Sequence, residues 1–187
     1  MKKPEELYFI AIIPPEPINE EAMKYKLDFQ NKYNSKASLK SPPHITLHMP
    51  FKMGEKKMRE LNHELGSFSQ LFETFSIELM NFNHFGERVI YVDVAHSDTL
   101  DELQKALTKF MKVNFNIFNA THKDNGFHPH MTIAFRDLKR EFFKIAWDEY
   151  KNKKYERNFE VNRLTLLKHN GAKWEVFENY YFKNSTL

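Results

Sequence analysis

One short pattern occurs twice in this chain of 187 residues. The letters "PHITL" at residues 43–47 and "PHMTI" at residues 129–133 share a proline, a histidine and a threonine, with apolar residues between and after them. Each copy alternates polar and apolar side chains, which predicts a β-strand with one buried face and one open face. The two histidines are 130 − 44 = 86 residues apart. This offset is too long for a solenoid repeat and suits a duplication into two halves.

The segments around the two motifs predict the element order β-α-β-α-β-β-α-β-α-β-β. The stretch "LYFIAII" is a strand closed by two prolines, and the helix after it has Asn19 as its expected N-cap. The most regular helix is "SDTLDELQKALTKFM", with Ser97 or Asp98 as its cap. Near the end, "NFEVNRLTLLKHN" and "KWEVFENYYF" read as two strands, and Asn170-Gly171 between them indicates a hairpin.

Interleaved helices and hairpins favour an α+β fold over a doubly wound parallel sheet. The two halves are alike, because each contains the motif strand, an amphipathic helix and a hairpin-like pair of strands. We therefore expect residues 1–187 to form one domain made of two pseudo-symmetric, intertwined lobes.

Composition restricts the chemistry. Apolar residues make up 41% of the chain and charged residues 28%, which is typical of a globular protein. The absence of cysteine excludes disulfides, thiolate zinc sites and thiol catalysis, and fits a cytoplasmic protein. The N-terminal apolar run ends at Pro14-Pro15, too early for a signal peptide, and no stretch approaches the ~20 apolar residues of a membrane span.

The motif strands place imidazoles and hydroxyls together. In a strand, His44 and Thr46 share one face, and His130 and Thr132 share the corresponding face in the other half. Two core strands with satisfied polar residues are the plain alternative, and a zinc site lacks further ligands in any familiar spacing. Paired imidazoles can act as acid and base near neutral pH, while hydroxyls can hold phosphate oxygens. The pattern favours phosphoryl chemistry without a metal or cofactor.

The motifs "HITL" and "HMTI" resemble the two signatures of the 2H phosphoesterase superfamily, in particular its bacterial 2′-5′ RNA ligase-like (RNA 2′,3′-cyclic phosphodiesterase) branch. The segments "LYFIAIIPPEP", "FNHFGERVIYVDV" and "VNRLTLLKHNGAKWEVFENYYF" also resemble family segments, so the likeness covers most of the chain. The resemblance implies two antiparallel sheets that form a shared concave cleft, with helices outside. It implies His44 and His130 as the catalytic pair and Thr46 and Thr132 as phosphate binders.

Further substrate contacts are weaker expectations. By alternation, Arg136 shares the face of His130, and His48 shares the face of His44. Phe85 and Phe51 could stack on a base, with core packing as the alternative.

The sequence thus predicts a monomeric, cofactor-free hydrolase of 2′,3′-cyclic phosphates on RNA ends or nucleotides, with 2′-5′ RNA ligation as a related activity. The alternative is a non-catalytic RNA- or nucleotide-binding module that uses the same cleft. The assignment of acid and base stays open. Substrate choice depends on loops such as "FNHFGE" and "NATHKDNGFHP".

Overall fold

The computed structural model describes residues 4–120 and 126–184. Within these ranges the chain forms eight strands, four α-helices and one 3₁₀-helix. In chain order they are β1 Glu6–Ile12, α1 Ile18–Tyr33, the 3₁₀-helix Ala37–Lys40, β2 Ile45–Met53, α2 Glu55–Ser69, β3 Phe75–Phe85, β4 Val89–Val94, α3 Asp98–Phe115, β5 His130–Ala134, α4 Arg140–Tyr150, β6 Glu156–Val161, β7 Arg163–His169 and β8 Trp174–Tyr181. No helix in the described ranges is long and apolar enough to cross a membrane.

All eight strands belong to one antiparallel sheet with the order β6-β3-β4-β5-β2-β1-β7-β8. The two motif strands, β2 and β5, are the central neighbours. They are joined through the pair Ile45 and Met131, and each begins a set of four strands. The sheet therefore consists of two four-stranded halves that meet at the motifs.

The sheet is strongly curled. β6 and β7 occupy the first and seventh positions of the sheet, yet only Asn162 separates them along the chain. In a flat sheet six strand spacings would place them about 29 Å apart, whereas one linking residue spans only about 7 Å. The sheet therefore bends until the end of β6 meets the start of β7. The space inside such a curl is too small for four helices, so the helices cover the outer face and the concave face is open.

The main core lies between the outer face of the sheet and the helices. Alternate strand residues such as Ile10, Ile45 and Met131 are fully buried in one cluster with the helix residues Phe29 and Leu103. Burial of each such side chain contributes about 1.5–3 kcal/mol relative to exposure. This apolar layer fixes which face of β2 and β5 is open, and so directs the motif histidines and threonines away from the helices.

The α+β class with antiparallel strands is confirmed. The Ser97 cap is confirmed as well, since its hydroxyl accepts a hydrogen bond from the Leu100 amide. The hairpin turn is where expected: Gly171 has a φ of +97°, and the Asn170 side chain accepts from two following amides.

Two local predictions are wrong. Asn19 is not the N-cap of α1, because the helix begins at Ile18 and the Glu16 carboxylate accepts the Glu20 amide. The stretch "NFEVNRLTLLKHN" is two strands instead of one. β6 pairs with β3 in one half, and β7 pairs with β1 and β8 in the other. The polar pair Asn162-Arg163 moves the buried apolar residues from odd-numbered positions, Phe159 and Val161, to even-numbered ones, Leu164 and Leu166, and the prediction did not use this break.

Candidate active site

The two motif strands bring four polar side chains together on the open face. Ile45 pairs with Met131 in the antiparallel register of β2 and β5. Residues directly opposite in such a pair have Cβ atoms about 4.5–5.5 Å apart, and diagonal neighbours are about 7–8 Å apart. This register places each histidine opposite the threonine of the other motif, and the two histidines on a diagonal. We refer to these half-buried residues as the quartet: His44, Thr46, His130 and Thr132.

Both histidines are held by the same local hydrogen bond. Nδ1 of His44 lies 2.7 Å from the carbonyl oxygen of Pro42, and Nδ1 of His130 lies 2.7 Å from that of His128. A carbonyl can only accept, so each Nδ1 carries the proton. In the neutral imidazole Nε2 then keeps its lone pair, and in the imidazolium Nε2 becomes a donor. The same geometry in both halves therefore gives two Nε2 atoms suited to proton transfer.

Aromatic rings flank each histidine. The Phe9 ring lies 4.9 Å from that of His44, and Trp174 packs edge-on against Phe9 at 4.6 Å. In the other half, Phe85 lies 4.9 Å from His130 and 4.3 Å from Tyr91. These rings exclude water from one side of each imidazole, which raises the cost of a positive charge there.

The charges around the two histidines differ. Burial is the main cause that lowers the pKa of His44, to about 3, and the nearby Lys26 charge lowers it further. Burial is also the main cause that lowers the pKa of His130; the hydrogen bond to the His128 carbonyl raises it, the His128 charge lowers it, and the carboxylate of Asp93, opposite His130 on β4, raises it by less. His128 lies 3.7 Å from this carboxylate and opposes its effect on His130. The quartet is thus symmetric in geometry and asymmetric in charge.

Comparison with known proteins agrees with this geometry. The sequence profile of the 2′-5′ RNA ligase superfamily matches residues 14–173. The chain belongs to this superfamily. Its resemblance to the 2H phosphoesterases, which rested on the two motifs, is therefore confirmed, and the profile includes both of them.

Curated relatives of this superfamily member match almost end to end. "Putative phosphoesterase GK0864" of Geobacillus kaustophilus (strain HTA426) is 29% identical over 177 residues, covering 92% of this chain and 94% of the relative. "Putative phosphoesterase BH1439" of Halalkalibacterium halodurans is 23% identical over 177 residues, covering 92% and 95%.

Solved structures share the fold of this superfamily member. LigT of E. coli in its apo form has a TM-score of 0.67 at 17% identity, covering 97% of this chain and 99% of LigT. LigT complexed with 3′-AMP has a TM-score of 0.66 at 16% identity, covering 96% and 99%. TT0787 of Thermus thermophilus has a TM-score of 0.64 at 16% identity, covering 94% and 97%.

The prediction that His48 faces the cleft is wrong. A register shift between Ile10 and Ala11 makes Leu47 an extra residue in β2, so that His48 pairs with Ile10 on the outer face. His48 is fully buried and its Nδ1 donates to the Met49 carbonyl. Phe51 is buried too, stacked on Tyr8 in the core, and so offers no ring to a base.

Phe85 and Arg136 differ in how the structure places them. Phe85 is part of β3, 38% exposed, and its ring contacts His130. Arg136 is exposed beyond the end of β5, and its backbone has a φ of 61°. Strand alternation therefore no longer determines where its side chain points, and its guanidinium lies 5.4 Å from the Phe135 ring.

Sequence reasoning missed three charged or titratable residues near the quartet. His128 could have been noticed, because it directly precedes the second motif, two residues before His130. Asp93 gave a weaker signal, as the open-face residue of an alternating strand. Lys26 gave none, since a lysine on an amphipathic helix is normally solvent-exposed. Residues 121–125 of the "NATHKDNGFHP" loop lie outside the described ranges.

The half-buried quartet lies on the concave face of the sheet. A cavity of about 500 Å³ is present elsewhere, between the start of α1 and the β6–β7 junction, where it is lined by Ile13, Glu16, Glu160 and Arg163 among others. None of the quartet residues lines it. Among the described residues, no three His, Asp or Glu side chains are grouped as a metal site would require.

Proposed function

We propose that this chain is a metal-independent phosphodiesterase that opens 2′,3′-cyclic phosphates on RNA ends or nucleotides. The observation that carries this proposal is the quartet, with two equivalently held imidazoles on a diagonal and a threonine opposite each. Superfamily membership and relatives named as phosphoesterases support phosphate-ester chemistry. The related LigT structure with 3′-AMP supports a nucleotide ligand. We further propose that the chain acts as a cytoplasmic monomer.

In the proposed reaction, a water oxygen attacks phosphorus opposite the departing ribose oxygen. Nε2 of one histidine accepts the proton of that water as the new P–O bond forms. The imidazolium of the other histidine donates its Nε2 proton to the ribose oxygen as the old P–O bond breaks. The products are a phosphomonoester and a ribose hydroxyl. With a 5′-hydroxyl in place of the attacking water, the same two proton transfers would form a 2′-5′ linkage as the bond between phosphorus and the 3′-oxygen breaks.

Thr46 and Thr132 would bind the two non-bridging oxygens of the phosphate. Each hydroxyl lies opposite the histidine of the other motif, so a phosphorus atom centred between the histidines is also within reach of both threonines. Such donors stabilise the charge that grows on these oxygens in the transition state. Phe85, which is partly exposed beside His130, would stack on the base of the substrate.

Incubation with an RNA oligonucleotide ending in a 2′,3′-cyclic phosphate, in the presence of EDTA, tests the proposal. We expect complete opening of the ring by wild-type protein and none by a His44→Ala/His130→Ala double variant of unchanged fold. Tight binding without turnover would favour a non-catalytic RNA-binding module. Activity lost in EDTA and restored by zinc would contradict the metal-independent mechanism.

A substrate panel then separates the activities that this quartet could support. Cyclic-phosphate RNA ends, 2′,3′-cyclic mononucleotides, 2′-5′ oligonucleotides and ADP-ribose cyclic phosphate should be compared at equal concentration. We expect the cyclic-phosphate substrates to be opened and the Phe85→Ala variant to lose mainly affinity, because stacking acts on the base and not on phosphorus. Phe177→Ala, which removes another half-exposed ring from the outer face, is the matched control.

A further inference from the structure

An arginine at the start of β7 has a buried donor without an acceptor. The Nε of Arg163 is buried and makes no hydrogen bond to the described residues. Its Nη1 donates to the Asn162 side-chain oxygen at 3.3 Å, and the guanidinium lies 5.7 Å from the Tyr181 ring. Within the described ranges no carboxylate forms an ion pair with it. A buried charged donor is unfavourable until an acceptor oxygen reaches it.

Arg163 lies on the same face of the sheet as the quartet. Leu164 and Leu166 are buried in the main core beneath the helices, so Arg163 and Thr165, which alternate with them, point to the concave side. The Arg163 side chain also lines the cavity of about 500 Å³ at the β6–β7 junction. The unsatisfied guanidinium is therefore part of the concave face that carries the motif side chains.

A row of paired residues connects β7 to the first motif. Thr46 pairs with Ala11, and Ala11 pairs with Thr165. Neighbouring strands are about 4.8 Å apart, so Thr165 lies about 10 Å from Thr46. Both β2 and β7 are antiparallel to β1 and thus parallel to each other. Arg163 is therefore level with His44, since each lies two residues before the threonine of this row.

Asn179 adds a second donor next to Arg163. It pairs with Thr165 across β7 and β8, and its Oδ1 accepts the Thr165 hydroxyl at 2.8 Å. This bond leaves the Nδ2 protons of Asn179 available to another acceptor. Asn179 is the diagonal neighbour of Arg163, and such neighbours are about 7–8 Å apart. A guanidinium and an amide at this separation can donate to oxygens of one phosphate.

We propose that Arg163 and Asn179 form a second phosphate subsite, which binds the phosphodiester one nucleotide before the cyclic phosphate of an RNA strand. This inference rests on the proposed phosphodiesterase function. It narrows the substrate to RNA ends of two or more nucleotides, because a 2′,3′-cyclic mononucleoside phosphate has no phosphodiester at that place.

The shape of a nucleotide suits this placement. The base and the 5′-oxygen leave the ribose on opposite sides of its 2′,3′ edge. With the cyclic phosphate at the quartet and the base on Phe85 in the second half, the 5′-phosphate extends over the first half, toward Arg163. The two strand spacings between them amount to about 10 Å, which a ribose, its 5′-phosphate and the arginine side chain span together.

Two carboxylates restrict where the phosphate lies. Glu16 and Glu160 line the same cavity as Arg163, and both are exposed. Solvent and salt screen exposed charges strongly and a buried charge much less. The attraction of the buried guanidinium therefore dominates for a phosphate on the β8 side of Arg163, where Asn179 is also within reach.

Equilibrium binding of two dinucleotides tests the inference without turnover. One is UpU with a 3′-phosphate, and the other carries a neutral methylphosphonate in place of its internal phosphodiester. Wild type should bind the methylphosphonate about 10-fold more weakly, because charge-assisted hydrogen bonds are lost. Arg163→Gln should bind the phosphodiester about 10-fold more weakly than wild type does and should discriminate little between the two ligands. Arg163→Lys, which keeps the charge without the planar fork, should lie between.

Lys168→Gln is the matched control, because it removes a positive charge from the outer face of the same strand, where Lys168 contacts Glu6 and the Phe177 ring. It should discriminate between the two dinucleotides as wild type does. The slope of log K against log salt for the phosphodiester should become shallower by about 0.7 in Arg163→Gln, since one phosphate contact to a single strand is lost. Lys168→Gln should keep the wild-type slope.

Two results would overturn the inference. Equal affinity of wild type for the phosphodiester and the methylphosphonate would do so, and this comparison requires no variant to fold. Equal losses of affinity for both ligands in Arg163→Gln would also do so, because they would show that the arginine only stabilises the β6–β7 junction.

Turnover separates this inference from the proposed function. The ratio of kcat/KM for a dinucleotide ending in a 2′,3′-cyclic phosphate to kcat/KM for a 2′,3′-cyclic mononucleotide should favour the dinucleotide in wild type. This ratio should fall about 10-fold in Arg163→Gln, and an unchanged ratio would contradict the subsite. Wild type that opens neither substrate would contradict the proposed function instead, while the dinucleotide affinities would still decide whether Arg163 binds phosphate.

Discussion

His44 and His130 show how identical side chains in equivalent hydrogen-bonded conformations acquire different chemistry. Each donates Nδ1–H to the carbonyl two residues earlier, so backbone geometry does not distinguish them. Their neighbours distinguish them. Phe9 and Lys26 act on His44, whereas Phe85, Tyr91 and Asp93 are the neighbours of His130. A duplicated motif therefore supplies the geometry, and residues outside the motif give the two imidazoles different electrostatic surroundings.

Replacement of either histidine by alanine should lower kcat by about 10²–10⁴-fold, the usual contribution of a positioned acid or base. The double variant should lose far less than the product of the two single losses, because the pair acts as a unit. Thr46→Ala or Thr132→Ala should each cost about 10-fold, since one donor to phosphate is lost. Single-turnover rates with a cyclic-phosphate oligonucleotide measure all five variants. A His44→Ala protein that is folded and reacts at the wild-type rate would refute the mechanism.

The pH profile should be a bell displaced to the acidic side. The base must be unprotonated and the acid protonated, so kcat/KM should rise with pH through the pKa of one histidine and fall through that of the other; burial is the main cause that lowers the pKa of His44, to about 3. Burial also holds the pKa of His130 below its ordinary value of 6.5. Because a bound phosphate anion favours imidazolium, the falling limb of kcat should lie at higher pH than that of kcat/KM. Initial rates between pH 3.5 and 8.5 measure the falling limbs of kcat and kcat/KM, and a kcat/KM maximum above pH 7 would contradict the lowered pKa values of the two histidines.

At the scale of single elements, the sequence predicts what strand alternation controls and fails where alternation is interrupted. Residues 44–46 and 130–132 alternate without a register shift, so their open and buried faces could be predicted. His48 could not, because one extra residue in β2 turns it toward the core. Burial of Lys26 depends on a segment that folds over α1 from twelve to fifteen residues further along the chain. No local pattern encodes such a contact.

The segment between α1 and β2 is held from the second half of the sheet as well. The carboxylate of Asp137, just beyond β5, accepts hydrogen bonds from the Ser35 hydroxyl and from the Lys36 and Ala37 amides at 2.8–2.9 Å. It acts as an N-terminal cap for the 3₁₀-helix that Lys26 holds at its other end. The approach to His44 is thus fixed by residues from two different elements.

Asp137→Ala should loosen this segment and so displace His44 without touching the substrate. We expect a loss of about 0.5–2 kcal/mol in the free energy of unfolding, as for other capping residues, and a fall in kcat larger than any change in KM. Asp137→Asn keeps one acceptor oxygen. Its free energy of unfolding and its kcat should therefore lie between those of wild type and those of Asp137→Ala. Urea unfolding and steady-state kinetics measure these effects. Unchanged kcat in a destabilised Asp137→Ala protein would show that the cap serves folding alone.

At the scale of the whole molecule, the two halves of the sheet are connected in two places. The pair Ile45 and Met131 joins β2 to β5 at the centre, and Asn162 links β6 of one half to β7 of the other. The curl follows from that crossing, and it makes the motif face concave. The similar order of elements in each half agrees with an internal duplication, which stays a prediction. The active site is therefore a property of the assembled sheet, since neither half contains both histidines.

The free energy of unfolding should depend on pH because of the buried Lys26. The pKa of Lys26 is about 7 in the folded protein and about 10.5 when unfolded, so between these values the unfolded chain binds more protons. The free energy of unfolding therefore rises with pH in this window, by at most about 1.4 kcal/mol per pH unit from this residue. Several buried tyrosines, Tyr150 and Tyr155 among them, have raised pKa values and act in the opposite direction as the pH approaches 10.

The difference between wild type and Lys26→Met isolates the lysine, because the tyrosines are common to both proteins. Urea unfolding at pH 7, 8 and 9 should show wild type gaining stability relative to Lys26→Met at each step. Lys24→Met removes an exposed charge from the same helix. The difference in free energy of unfolding between wild type and Lys24→Met should therefore stay the same at all three pH values. A constant difference between wild type and Lys26→Met across these three pH values would mean that Lys26 titrates like a solvated lysine. The electrostatic asymmetry between the two halves would then need another source.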